Sequence, residues 1–152
     1  MKNGLLVLLL TALLAGCGSD EYEKARDLYV GSRTNVPSEQ QGYSEPLSQA
    51  TALLENFLSH NHEHPRAMLL LWRCYLRTGN PRAAAMHESM TRNAAKMRKV
   101  LPDEIADEAD AYMRERIVQL FGEIATSAEV EDLVEILEED AQPAVQEAAA
   151  QI

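Results

Sequence analysis

Three histidines alternate in His60-Asn61-His62-Glu63-His64. In extended backbone all three imidazoles would project to one side, and a Zn²⁺ or Cu²⁺ ion could use that arrangement. In a helix only His60 and His64 would share a face. The plainer reading is a solvated turn between helices, since Pro65 follows and Glu63 would point the other way in a strand. Cys74 lies between Trp72 and Tyr75 on an apolar stretch and reads as packing. A reactive thiolate would need an exposed, electropositive setting. His87 and Glu88 are adjacent and could form an acid/base pair, but no nucleophile, phosphate-cradling glycine loop or carboxylate pair accompanies them, so an enzyme is not expected. Arg92, Lys96, Arg98 and Lys99 form a compact basic cluster, candidate contacts for an acidic partner or for the chain's own acidic end. There Glu129, Glu131, Asp132, Glu135, Glu138, Glu139 and Asp140 gather. The remaining chemistry-bearing residue is Cys17, whose meaning depends on what precedes it.

Lys2 is followed by an apolar run from Leu5 to Leu14 broken only by Thr11. A bilayer span needs about 20 apolar residues, so this run has the length of a signal-peptide core instead. Leu14-Ala15-Gly16-Cys17 closes it. This tetrad resembles the lipobox of bacterial lipoproteins. The resemblance implies a signal peptide over residues 1–16, a diacylglyceryl group on the Cys17 thiol, cleavage just before Cys17 and acylation of the new amine. Several acyl chains make an anchor stable where one is marginal. Gly18, rather than Asp, follows the cysteine, which in that family implies the outer membrane, facing the periplasm, if the source is Gram-negative. No cofactor beyond the covalent lipid is expected.

The chain has 152 residues, room for one domain, with 46% hydrophobic and 25% charged residues and a net charge of −10. Such acidity disfavours nucleic acid as a partner. The charge is uneven: residues 17–60 carry net −4, residues 61–101 net +6 and residues 102–152 net −13. A basic middle beside an acidic end invites attraction, within one chain or between copies in a homo-oligomer.

The elements that must position these groups are helices. A short helix over Glu21–Val30 would carry Tyr22, Ala25, Leu28 and Tyr29 on one face. Gly31, Asn35, Pro37, Gly42 and Pro46 then mark a linker, long enough to let a domain stand off from a membrane. The lipidated terminus and linker are assigned to residues 17–45 and the folded domain to 46–152. Leu47, Ala50, Leu54 and Phe57 form a helical stripe behind Pro46. Pro65 opens a helix through Met68, Leu71, Trp72 and Tyr75, and Thr78-Gly79-Asn80-Pro81 stops and restarts the chain. Ala83, Met86, Met90, Ala94 and Met97 predict one helix, broken at Leu101-Pro102. Met113, Ile117, Leu120, Phe121 and Ile124 predict another. Val130 to Leu137 and Val145 to Ile152 complete an all-α reading built of helical hairpins.

Two repeat resemblances refine it. Ala50 and Ala84 lie 34 residues apart, with Leu71, Tyr75, Gly79 and Ala84 spaced as in a tetratricopeptide repeat, so residues 46–101 resemble that family. Residues 102–152 resemble HEAT repeats: Met113 and Val145 are 32 residues apart, and Arg114 stands where that family often has an arginine tying a turn. Both families build solenoids whose hairpins stack on neighbours. Together these resemblances imply a non-catalytic scaffold or assembly factor in the bacterial cell envelope, holding an envelope protein near the membrane. A periplasmic metal-binding lipoprotein using His60, His62 and His64 is the alternative.

Overall fold

The computed structural model describes residues 20–32, 44–129, 131, 134, 135 and 143–150. The lipobox residues and Cys17 lie outside them, as does most of the linker. Every regular element among the described residues is a helix, and consecutive helices pack on one another in a solenoid-like arrangement. We number them α1 (residues 20–32), α2 (Glu45–His60), α3 (Pro65–Thr78), α4 (Arg82–Arg92), α5 (Ala94–Met97), α6 (Leu101–Asp107), α7 (Ala111–Ile124) and α8 (Pro143–Ala150). Among the described residues no helix is long and apolar enough to cross a membrane.

Local chemistry sets the helix ends. The Ser44 hydroxyl accepts from the Leu47 N–H and Pro46 sits in the first turn of α2. α3 starts on an unusual cap, the His64 imidazole, whose Nδ1 accepts from the Ala67 N–H at 3.2 Å. It ends at Gly79, φ +64°, where the Asn80 N–H reaches the Tyr75 carbonyl and the Gly79 N–H that of Leu76. A side chain in this left-handed geometry is strained, so glycine is required. The Asp110 carboxylate caps α7 by accepting from the Met113 N–H at 3.0 Å.

Two apolar cores flank α3. One gathers Ala25 and Tyr29 of α1, Leu47, Ala50, Leu54 and Phe57 of α2, and the α3 face Ala67, Leu70, Leu71, Cys74 and Tyr75. The other gathers the opposite α3 face, Met68, Leu69 and Trp72, with Met90, Met97, Leu101 and Ile105 and the α7 residues Ile117, Val118, Leu120, Phe121 and Ile124. A helix packed on both sides must be apolar nearly all round, which is why Leu69-Leu70-Leu71-Trp72 runs without a polar break.

The structure departs from the sequence reading in three places. The helix predicted over Ala83–Met97 is broken at Asn93, whose backbone N–H is shared by the Ser89 and Met90 carbonyls while its side-chain amide donates to Ser89. That local competition ends a helix. Leu101-Pro102 does more than break the chain: it opens α6, with the proline in the first turn. The short N-terminal helix, assigned with the lipidated terminus and linker and not with the folded domain, buries Ala25 completely and Tyr29 to 1% exposure in the first core.

Candidate peptide-binding groove

The basic middle and the acidic end of the chain meet in one seam. Arg66, Arg73 and Arg77 are spaced by seven and four residues, which places them along one side of α3. Facing them are acids of α6 and the turn after it. Arg66 pairs with Asp103 (3.1 Å) and Glu104 (3.7 Å), and Arg73 with Glu104 (3.0 Å) and Glu108 (3.6 Å). Arg77 pairs with Asp110 (3.2 Å), the same carboxylate that caps α7. Arg73, Arg77 and Glu108 are buried. The Tyr29 hydroxyl donates to Glu108 at 3.4 Å and the Arg77 guanidinium lies 4.6 Å over the Tyr29 ring, which brings α1 into the same network. Burial beside Glu108 pushes the Tyr29 phenol far above its ordinary range, so it remains a donor. Arg114 donates to the Glu108 carbonyl at 2.6 Å and ties this turn to the first turns of α7. The seam's charges are consumed in holding helices together.

A concave site lies on the adjoining face of α3. A cleft of about 440 Å³ opens between α4 and α7 over α3. Its floor is Trp72 and Leu76, one helical turn apart. One wall is Ala83, Ala84 and His87 of α4, where two alanines leave the cleft open. The other is Arg116, Gln119, Leu120 and Glu123, which at spacings of three, four and seven share a face of α7. His87 Nε2 meets Glu123 Oε2 at 3.1 Å, and its ring leans on Trp72 with centroids 5.9 Å apart. The groove is thus an apolar floor with a polar rim, the composition of a site that takes an apolar side chain and fixes its neighbours by hydrogen bonds. A second depression is lined by Ser48, Thr51, Ala52, Glu55 and Thr78–Pro81, and its Glu55 is already taken by the Tyr75 hydroxyl and Arg82, both at 2.7 Å.

The histidines singled out in the sequence are not brought together. His64 caps α3 and packs edge-on against Phe57 (5.2 Å) and against Tyr22 (5.4 Å). Burial holds it below the ordinary histidine range, in the neutral form an acceptor needs. His60 Nδ1 sits 2.9 Å from Ser59 and 3.1 Å from the Asn56 carbonyl, while His62 is exposed. Among the described residues no group of three His, Cys, Asp or Glu is placed to hold a metal ion. The basic cluster is divided as well. Arg92 pairs with Glu88 one turn away at 2.9 Å, Lys96 with Glu63, and Arg98 with Glu129 at 3.3 Å and the Ile124 carbonyl at 3.1 Å, while Lys99 is exposed. Cys74 is fully buried, and burial pushes its thiol up to about 12, so it is inert at neutral pH.

Sequence reasoning missed Arg116 as a site residue. Its signal was present in the shared helical spacing with Leu120, but the facing wall came from α4, more than twenty residues earlier. No family model, no curated protein and no solved structure matches this chain.

Proposed function

We propose that this chain is a bacterial envelope lipoprotein, anchored through Cys17, whose helical domain serves as a non-catalytic docking scaffold or assembly factor for another envelope protein. The groove over Trp72 carries this reading: it is concave, apolar at its base, and walled by two helices whose small and polar residues leave room for a segment of a partner. Leu14-Ala15-Gly16-Cys17 at the end of an apolar run supports the anchor. The seam of Arg66, Arg73 and Arg77 supplies the rigidity a preformed groove needs.

Two experiments test the two halves. Cys17→Ser should move the protein from the membrane to the soluble fraction after lysis; retention in the membrane pellet would refute the lipid anchor. Ala84 is exposed at the groove wall, so Ala84→Phe should narrow the cleft without disturbing either core. Affinity purification from detergent-solubilised native membranes should retain an envelope protein with the wild type and lose it with Ala84→Phe. Equal retention by both would remove the groove from the account.

A further inference from the structure

Among the described residues, the other arginines of this acidic chain are spoken for. Arg26, Arg66, Arg73, Arg77, Arg82, Arg92 and Arg98 each lie at salt-bridge distance from a carboxylate. Arg114 is tied to the Glu108 carbonyl. Arg116, in the groove, is different. Its Nη1 donates to the Gln119 amide oxygen at 2.9 Å, and no carboxylate among the described residues pairs with it. Its Nε is buried with no acceptor. Arg73 has an unmatched Nε too, but that guanidinium rests on Glu104 and Glu108. The nearby acids are already engaged, Glu115 by the Gln119 amide (3.1 Å) and Glu123 by His87. A half-buried guanidinium with spare donors, beside an apolar floor, is a charged site short of its counter-charge.

We infer that the groove takes a polypeptide segment of the partner in which a carboxylate lies next to an apolar side chain, the apolar group settling over Trp72 and Leu76 and the carboxylate pairing with Arg116. This rests on the docking reading and specifies what is docked. The fit follows from the chemistry of the walls: aliphatic or aromatic carbon for the floor, two oxygens for a planar fork of donors, and room beside the small side chains of Ala83 and Ala84 for the backbone. The Gln119 amide, already on Arg116, holds the fork in place until a carboxylate replaces or joins it.

Trp72 is the single tryptophan of the chain, so its emission reports on the groove directly. The probes are three peptides without tryptophan, added to the full-length protein in detergent. They are acetyl-Ser-Leu-Glu-Leu-Ser-amide, the same peptide with Gln for Glu, and the Gln peptide with a free terminal carboxylate. The Glu peptide should shift Trp72 emission saturably and bind at least about tenfold tighter than its amidated Gln counterpart. Arg116→Gln should abolish that preference while leaving the circular dichroism and the melting temperature in place. Tighter binding of the free-acid peptide than of the Glu peptide would support the inference and assign the carboxylate to a chain end rather than a side chain.

Equal affinity of the Glu and Gln peptides for the wild type, or a preference that survives Arg116→Gln, overturns the inference and leaves the docking reading intact. Silence from all three peptides overturns it too; the Ala84→Phe purification then decides whether docking itself stands. A molecular mass that rises with concentration and falls back in Arg116→Gln would make the occupant a second copy of this chain, which also overturns it.

Discussion

Two adjoining faces of α3 look onto arginines handled in opposite ways. In the seam, Arg66, Arg73 and Arg77 are matched by acids from α6 and the turn that follows, and the charges serve as fasteners between helices. On the adjoining face of the helix, Arg116 of α7 stands in a cleft where no carboxylate among the described residues pairs with it. The chain has acids to spare, with 24 against 14 basic residues, so the unmatched arginine is not a matter of supply. It teaches that a charged residue in a solenoid must be judged by what the neighbouring hairpin supplies, not by its own sequence surroundings.

The contrast can be broken first at the seam. Arg73→Ala leaves Glu104 and the buried Glu108 facing an empty space, and should cost about 3–5 kcal/mol in urea unfolding. Arg92→Ala, which removes an exposed pair with Glu88, should stay within about 0.5 kcal/mol of wild type. If the two losses were equal, the seam would be no more than surface decoration. Gly79→Ala comes next: placing a side chain at φ +64° should cost about 1–2 kcal/mol, although open space surrounds the position. Both effects should exceed that of Arg116→Gln, which surrenders no ion pair and should leave stability within about 0.5 kcal/mol. A large loss there would mean that Arg116 is a fastener like the others.

The gentlest test uses pH. His64 is held neutral by burial, so its proton affinity in the folded chain is below that of the unfolded chain. As pH falls below about 6.5 the unfolded chain takes up the proton first, and stability declines until the folded pKa is passed; above about 6.5 the full contribution is present. The melting temperature should therefore fall between about pH 7.5 and pH 5. His64→Asn keeps a capping acceptor that does not titrate and should flatten that fall. An unchanged slope would remove His64 as its source.

Much of the fold was legible because it follows from periodicity. Leu47, Ala50, Leu54 and Phe57 are all buried on α2, and Met113, Ile117, Leu120, Phe121 and Ile124 on α7, as their spacing requires. Gly79 was legible for the same reason that it is needed. The break at Asn93 was not, because it depends on whether one amide bonds back to Ser89, a choice that apolar spacing does not register. The site was less legible still. Arg92, Lys96, Arg98 and Lys99 are neighbours in sequence, yet three of them find separate acidic partners on α4, on the α2–α3 turn and beyond α7. The groove draws on three helices spread over Trp72 to Glu123, and such distant convergence leaves no local mark.

The burial of Ala25 and Tyr29 changes what an anchor on Cys17 would mean. The described part of helix α1 begins at residue 20, three residues after Cys17, and three residues of fully stretched chain reach only about 10 Å. Because α1 and α2 share one core, the sequence between them joins two packed helices instead of spacing the domain from the bilayer. A lipid at Cys17 would hold the domain on a very short leash, with the start of α1 facing the headgroups. A partner would have to be met at the membrane surface itself, within reach of its own juxtamembrane segments, and a longer leash inserted before residue 20 would loosen that geometry without touching a single contact in the groove.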